Sequence, residues 1–292
     1  MDFALLDNPY LVPFDGSFRV ADAATDPQEA PSKKAYKKAL ADKVDRLADL
    51  QDLLYAADTY SVLLVFQAMD AAGKDSTIRA VMSGVNPAGF QVSSFKAPSK
   101  NELDQDFLWR TVKALPQRGR IGGFNRSYYE ETLVVRVHPE YLGGQRLPQV
   151  SDSIWEERYA SIRDHELHLA RNGTVVIKFW LNVSRQEQTN RFLRRIDRAD
   201  KNWKFSAGDL AESALWPQYM AAYQDMLNAT SRPHAPWYAI PADDKPAMRL
   251  AVADVVVNTL SRLDLEYPEL DAKTRANLES YRAQLEETLA SF

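Results

Sequence analysis

The stretch SVLLVFQAMDAAGKDS (61–76) has the residue types of a phosphate-binding turn. A Walker A loop reads G-x-x-x-x-G-K-[ST], but here Ala68 stands at the first glycine position and Asp75 follows Lys74. A phosphate site needs convergent backbone N–H groups, a helix N-terminus and a cation, and this stretch supplies all three after an apolar run. An ordinary strand-to-helix turn with an exposed lysine is the alternative, and the preceding strand favours the phosphate loop. The predicted phosphate-binding residues are Met69, Ala71, Ala72, Gly73, Lys74, Asp75 and Ser76.

Asp70 introduces a carboxylate into this loop. A carboxylate repels phosphate unless a cation lies between them, and Mg²⁺ prefers oxygen ligands and bridges phosphates. Aspartate is also a common helix cap. The residues alone leave both interpretations of Asp70 open.

A second concentration of positive charge lies between Arg185 and Lys204. It holds seven basic and three acidic residues in a chain of formal net charge −4. Arg191 and Arg195 are spaced i,i+4, at which like charges repel unless an anion lies between them. A solvated helix face is the alternative, but the position after a strand of a phosphate-loop fold favours a lid that closes on phosphates, which we place at about 185–209.

Further candidates follow the second and third predicted strands. Lys96 lies just past the second strand, and Asn125 and Arg126 end the third. Ligands of open parallel sheets bind at the carboxyl ends of the strands, so these three side chains are candidate site residues. Glu130 and Glu131 come next, and a helix dipole alone would favour glutamates at that position.

The elements that must position these residues alternate along the chain. The predicted strands are 61–66, 90–95, 119–125, 174–181 and 236–242, and the predicted helices are 33–57, one from Gly73, 102–115, 153–171, one from Ser184, 210–228, 246–263 and 271–290. Strands that alternate with helices predict an α/β fold with a doubly wound parallel sheet. We expect one domain over 33–292, after an irregular N-terminal extension of residues 1–32.

The composition narrows the classes of function. The chain has 292 residues, 45% of them hydrophobic and 26% charged, with no cysteine and a pI near 5.7. Disulfides and thiol catalysis are excluded, and the acidic balance argues against nucleic-acid binding. No run of 18 apolar residues and no signal-peptide pattern is present, so we expect a cytoplasmic protein that does not span a membrane.

Several separated motifs together resemble the polyphosphate kinase 2 family. They read QAMDAAGKDSTIRAVMSGVNPAGFQVSSFKAPS, DFLWR, FNRSYYEETLVVRV, NWKFS and APWYAIPADDK, and they span roughly 33–263. The resemblance implies a P-loop kinase fold similar to thymidylate kinase, with a helical lid. It implies reversible, Mg²⁺-dependent phosphoryl transfer (Mn²⁺ as a substitute) from inorganic polyphosphate to adenine nucleotides. It also implies a homo-oligomer, in which the terminal helix 271–290 either forms an interface or docks on its own core.

The same resemblance assigns roles to individual residues. Asp70 would hold the metal and Lys74 the transferring phosphate, with Asn125 and Arg126 beside them. Arg191, Arg195 and Lys204 would be lid cations, and Lys96 would line the polyphosphate path. Glu130, Glu131 and Arg136 would lie near the nucleotide.

The resemblance is less direct about the acceptor. Asn125 resembles the class that acts on both AMP and ADP, since ADP-specific members tend to have aspartate there. Glu131, the Gly122–Gly123 pair and the segment DDKPAMRL depart from common members of that class. An ATP-dependent nucleotide kinase and a non-catalytic polyphosphate- or nucleotide-binding module are the alternative functions.

Overall fold

Five strands form a single parallel sheet in the computed structural model of the protein, which describes residues 2–27 and 31–292. The strands are β1 (Ser61–Gln67), β2 (Phe90–Ser94), β3 (Ile121–Asn125), β4 (Thr174–Asn182) and β5 (Trp237–Pro241). They lie in the order β2-β3-β1-β4-β5, and every pair is parallel. All residues of β1 and β4 are buried, as their nearly continuous apolar sequences predict for strands covered on both faces.

Helices cover both faces of this sheet. In the described part of the chain they are α1 (Lys33–Ala57), α2 (Lys74–Val81), α3 (Lys100–Leu103), α4 (Trp109–Val112), α5 (Val134–Val137), α6 (Ile154–Arg171), α7 (Arg185–Ile196), α8 (Ala207–Ala214), α9 (Trp216–Thr230), α10 (Lys245–Leu260) and α11 (Ala272–Ala290). The predicted doubly wound α/β class is confirmed. None of these helices is both long and apolar enough to cross a membrane.

Two predicted helices are interrupted. In place of one helix over 102–115 there are α3 and α4, because the Asp106 carboxylate accepts hydrogen bonds from the N–H groups of Leu108 and Trp109 and starts a new turn. The helix predicted over 210–228 is divided into α8 and α9. Pro217 lies in the first turn of α9, where its missing N–H is tolerated, whereas it would break a continuous helix.

The glycine pair of β3 is explained by close packing. A Cβ atom on Gly122 would lie 3.0 Å from the Pro116 ring, and one on Gly123 would lie 3.4 Å from the Phe90 ring. Two ring side chains therefore cover the strand where larger residues would normally lie. The departure from an apolar strand sequence reflects packing in this region of the fold.

The N-terminal extension packs on the sheet. Leu11 forms an antiparallel bridge with Tyr238 and so covers the outer edge of β5. Residues 18–26, the N-terminal strap, then cross the carboxyl end of the sheet. The Asn182 amide donates to the carbonyls of Ala23 and Ala24, and the Asn228 amide donates to the Phe18 carbonyl. One short 3-10 helix interrupts the otherwise irregular described part, and residues 1 and 28–30 of the predicted extension lie outside the described residues.

Helix α11 has a different environment from the other long helices. None of its residues is buried. The preceding residues 264–271 have no regular structure and most of them are exposed. The sequence left two placements open for this helix, an interface or docking on its own core. The structure does not show the docked placement.

Candidate active site

The loop between β1 and α2 closes around one point at the carboxyl end of the sheet. Ala71 and Gly73 adopt left-handed backbone angles, with φ of 64° and 114°. Glycine takes such angles at no steric cost, whereas alanine is strained. Lys74 opens α2 and folds back, so that its Nζ donates to the carbonyls of Ala68 at 2.7 Å and Met69 at 3.4 Å. The loop therefore has the turn, the helix N-terminus and the cation that a phosphate site requires.

Burial lowers the pKa of the Lys74 ammonium, and the charge of Asp70 opposes that shift. An anion bound beside Lys74 would compensate the buried charge.

Arg126 lies between two carboxylates at the end of β3. Its guanidinium donates to Asp70 Oδ1 at 2.9 Å and lies 3.5 Å from Glu130 Oε2. Its backbone is left-handed, with φ of 64°, and its N–H donates to the Phe66 carbonyl of β1. The Glu130 carboxylate raises the pKa of Arg126, and burial raises the pKa of Glu130 itself. The strained backbone thus holds the guanidinium at the entrance of the phosphate loop.

Asn125 lies on the other side of this entrance. Its side-chain amide donates to the Asp75 carboxylate in the first turn of α2. The contact joins the end of β3 to the start of the helix behind the phosphate loop.

Arg191 has a different position from the one predicted for a lid cation. Its side chain is only 4% exposed, and its five N–H groups are directed at protein oxygens. The acceptors are Glu187 Oε1 at 2.8 Å and the carbonyls of Ala71 at 3.1 Å, Ala72 at 2.5 Å, Ala242 at 2.6 Å and Asp243 at 3.0 Å. Arg191 therefore clamps the phosphate loop to α7 and to the β5–α10 connection, and its donors are already engaged.

The remaining lid cations line a cleft of about 630 Å³ beside the phosphate loop. Eleven basic and two acidic side chains line it. The basic residues are Lys74, Arg79, Arg126, Arg191, Arg194, Arg195, Arg198, Lys201, Lys204, Lys245 and Arg249. The structure thus places Arg195 and Lys204 in the cleft beside the phosphate loop, where lid cations were predicted. This basic cleft concentrates positive charge in a protein whose net charge is −4.

Sequence reasoning missed three of these cations. Arg79 lies on α2, five residues after Lys74, and Lys245 and Arg249 are spaced i,i+4 at the start of α10. The i,i+4 spacing of Lys245 and Arg249, shortly after the final strand, is the signal in the sequence that could have identified them. Burial, together with the nearby charges of Arg191 and Arg194, lowers the pKa of Lys245 to about 8.

Of the charged residues predicted for the site, three line neither the basic cleft nor the smaller pocket beside it. Glu131 is buried against Arg158, 2.6 Å away, on α6, because adjacent residues of a 3-10 helix point about 120° apart. Arg136 donates to the Tyr159 hydroxyl and pairs with Asp225. Lys96 follows β2, an edge strand of the sheet, and does not line the basic cleft. Glu131 and Arg136 are thus engaged by protein partners, and the nucleotide contacts predicted for them stay predictions.

A second, smaller pocket of about 170 Å³ opens beside the basic cleft. The two share Asp70 and Arg126 as lining residues. The other lining residues of this small pocket are Ala68, Met69, Glu130, Leu133, Val134, Glu212, Tyr219 and Tyr223. Its tyrosines are spaced i,i+4 on α9, a pattern that the sequence alone could not distinguish from core packing.

A fully buried ion pair lies behind the small pocket. Lys178 of β4 donates to Glu166 of α6 at 2.6 Å and to the Thr230 carbonyl at 2.8 Å. The hydroxyls of Tyr128 and Tyr129 both donate to the same Glu166 carboxylate. Because these tyrosines precede Glu130 directly, the pair fixes the segment that carries the carboxylate facing Arg126.

The carboxylates of the site are too few to bind a metal alone. Within the described residues no three His, Cys, Asp or Glu side chains are grouped so that they could hold a metal ion. Mg²⁺ is commonly bound by one or two carboxylates together with waters and substrate phosphates. Asp70, with Oδ1 on Arg126 and its backbone in the phosphate loop, fits that second arrangement.

Comparison with known proteins gives consistent matches. The sequence profile of the family described as Polyphosphate kinase 2 (PPK2) matches residues 30–268. The ADP-polyphosphate phosphotransferase of Rhodopseudomonas palustris is 54% identical over 87% of this chain and 89% of its own length. The AMP/ADP-polyphosphate phosphotransferase of Meiothermus ruber is 43% identical over 89% and 95%. The crystal structure of polyphosphate kinase 2 from Arthrobacter aurescens TC1 superposes with a TM-score of 0.85 at 37% identity, covering 93% of both chains.

Proposed function

Because this chain belongs to the polyphosphate kinase 2 family, we propose that it transfers a phosphoryl group from inorganic polyphosphate to AMP and to ADP. The observation that carries the proposal is the meeting of two sites at Asp70 and Arg126. The basic cleft suits a long polyanion, and the small pocket opens beside it, where an acceptor would meet the end of that chain. The name of the Meiothermus ruber relative supports both acceptors, and the name of the Rhodopseudomonas palustris relative supports ADP.

In the proposed mechanism, catalysis comes mainly from the cations of the cleft. Phosphoryl transfer needs positioning and charge neutralisation more than covalent chemistry from the protein. Lys74 and Arg126 lie where the transferred group would pass between the two sites, and Arg195 and Lys204 would hold the remainder of the polyphosphate chain. The attacking oxygen belongs to a nucleotide phosphate that is already ionised at neutral pH, so no general base is required.

Mg²⁺ is the proposed cofactor, and Asp70 is the residue that would hold it. When bound, it would neutralise phosphate charge and align the two substrates. Arg126 keeps the Asp70 carboxylate in place at 2.9 Å. The transfer is reversible in this proposal, since the same cations would contact the terminal phosphate of the nucleotide product.

The test supplies purified protein with Mg²⁺ and long-chain polyphosphate, with AMP and ADP in separate samples and no ATP. We expect ADP and then ATP from AMP, and ATP from ADP. ATP from ADP alone, with AMP inert, would retain polyphosphate as donor and remove AMP as acceptor. If neither sample yields product while added ATP phosphorylates AMP, the protein is an ATP-dependent kinase and the proposal is wrong.

A further inference from the structure

Helix α8 contributes one carboxylate to the wall of the small pocket. Glu212 lines that pocket together with Tyr219 and Tyr223 of α9. None of the residues of α8 is buried, so apolar packing does not fix this helix in place. The polar contacts of its side chains therefore decide where Glu212 lies.

Two of these contacts join α8 to α7. The Asp209 carboxylate lies 3.3 Å from Arg195 Nη1, and the Ser213 hydroxyl donates to Gln188 Oε1 at 2.9 Å. Both partners belong to α7, so these contacts fix α8 relative to that helix. The contact to a further wall of the small pocket is made by Glu212 itself.

That contact runs to His138, which ends α5. Val134, the first residue of α5, lines the same pocket. His138 Nε2 lies 3.1 Å from the Glu212 carboxylate, and the Tyr219 hydroxyl donates to this carboxylate at 2.5 Å. The imidazole is 19% exposed and stacks on Tyr141, with the ring centroids 5.2 Å apart. His138 thus joins the end of α5 to α8 at a residue that lines the pocket.

The second ring nitrogen of His138 faces another carboxylate. Nδ1 lies 3.2 Å from Glu140 Oε1. A neutral imidazole has one N–H and can donate to only one of the two carboxylates, whereas the imidazolium donates to both. The arrangement is therefore that of a protonated histidine. Burial alone would lower the pKa of His138, but the hydrogen bonds and charges of Glu212 and Glu140 raise it above its usual value of 6.5.

This direction sets the pH range in which the contact exists. The ion pair is complete below pH 6.5 and is lost as the pH rises through the pKa of His138. Burial raises the pKa of Tyr219 and Tyr223 above their usual value of 10, so both hydroxyls keep their protons in this range. The remaining charged groups of the pocket, Asp70 and Glu130, are paired with Arg126. Among the described side chains that bond to the Glu212 carboxylate, His138 is thus the one whose charge changes near neutral pH.

We propose that His138 is a positioning residue for the acceptor, which holds Glu212 of α8 in the wall of the small pocket when protonated and releases it when neutral. This role rests on the proposed function, because it takes the small pocket as the acceptor site. Neither His138 nor Glu212 lines the basic cleft, so the effect falls on the acceptor and leaves polyphosphate binding unchanged.

Binding of ADP to the full-length protein, measured by calorimetry at pH 6 and pH 9 without polyphosphate, tests the proposal. His138→Gln should bind ADP about three- to tenfold more weakly than the unmodified protein at pH 6, and within about twofold of it at pH 9. His138→Arg keeps the charge, the planar donors and the stacking on Tyr141, so at pH 9 it should bind ADP more tightly than the unmodified protein by a similar factor. Comparing variants at one pH cancels the ionisation of the nucleotide itself.

His168→Gln is the matched control. His168 is an exposed histidine of α6 that lines neither the basic cleft nor the small pocket. The variant should bind ADP like the unmodified protein at both pH values. In the complete reaction, the KM for ADP should follow the binding data in every variant, while the KM for polyphosphate stays within about twofold.

An NMR titration of the histidine resonances supplies a readout that requires no substrate. Glu212→Gln and Glu140→Gln each remove one carboxylate beside the imidazole, and each should lower the pKa of His138. Glu140 lines neither cavity, so Glu140→Gln should also move the fall in ADP affinity to lower pH.

Three results would overturn the positioning role. They are an equal loss of ADP affinity in His138→Gln at both pH values, an ADP affinity that no His138 variant changes, and a His138 pKa insensitive to Glu212→Gln. If ADP binds as expected and polyphosphate yields no product, the proposed donor is wrong and the positioning role is retained.

Discussion

Arg191 donates a 2.5 Å hydrogen bond to the carbonyl of Ala72, inside the loop that binds phosphate in our proposal. A carbonyl that points away from the bound anion leaves the N–H groups of the loop free to point toward it. The cation on the predicted lid thus shapes the loop from behind. Because the same guanidinium also holds Ala242 and Asp243, movement of α7 is coupled to the β5–α10 connection.

Arg191→Ala should reduce both stability and activity. The substitution removes the donor to four backbone carbonyls and one of the two arginine partners of Glu187, which costs about 3 kcal/mol or more for a buried charged network. We expect the melting temperature to fall by roughly 5–10 °C and polyphosphate-dependent turnover to fall with it.

Arg194→Ala is the matched control, since Arg194 lies on the same helix, pairs with the same Glu187 carboxylate and is 59% exposed. It should raise the KM for polyphosphate and leave the melting temperature within about 1 °C. Equal losses of stability in the two variants would contradict the clamp.

Lys74→Met should abolish most of the activity and preserve the fold. Its ammonium donates to the Ala68 and Met69 carbonyls and lines the basic cleft at the phosphate loop. Removing a preorganised charge from a phosphoryl-transfer site costs about 10²-fold or more in kcat. Steady-state kinetics with polyphosphate and ADP measure the loss, and a thermal melt tests the fold. Turnover within about threefold of the unmodified protein would exclude the proposed role.

The KM for polyphosphate should rise as the pH passes 8. The Lys245 pKa of about 8 means that this cation of the basic cleft is protonated at pH 7 and mostly neutral at pH 9. Losing one cation weakens polyanion binding, so we expect an increase of several-fold over this range. Lys245→Arg keeps the charge and should flatten the profile. The shift also affects stability, which should increase above pH 8 as the unfolded chain alone retains the proton.

Replacing Lys178 alone should lower the free energy of unfolding more than replacing both Lys178 and Glu166. Lys178→Met leaves a fully buried carboxylate unpaired, at a cost of about 3–5 kcal/mol in the free energy of unfolding. Combining it with Glu166→Gln removes the unpaired charge. The double variant should therefore lose less free energy of unfolding than the two single variants lose together. Denaturant unfolding of the four proteins gives the coupling energy. Simple additivity would mean that the pair does not act as a unit.

Much of this site could be predicted from sequence because its parts follow strands. Asn125 ends β3, Arg126 follows it, and Lys74 comes after the loop that follows β1; parallel strands bring their carboxyl ends together. The fold class followed from the same alternation. Glu131 could not be assigned in this way, since it differs from Glu130 only in the direction a 3-10 helix gives its side chain.

The position of Arg191 depends on tertiary geometry. Local spacing identified it as part of a basic helix, but its acceptors lie 119 and 51 residues away along the chain, at Ala72 and Ala242. Lys245 and Arg249 join the basic cleft for a similar reason, because α10 begins at the same edge of the sheet as the phosphate loop. Such contacts follow from the packed fold and leave no pattern in a short window of sequence.

The N-terminal strap has a consequence for the order in which the protein is completed during synthesis. Its partner side chains Asn182 and Asn228 are 159 and 210 residues later in the chain than the carbonyls they bind. A ribosome adding about 5–20 residues per second needs on the order of 10–40 s to supply them. The strap therefore leaves the ribosome well before these partners, and it must remain undocked from them in the meantime.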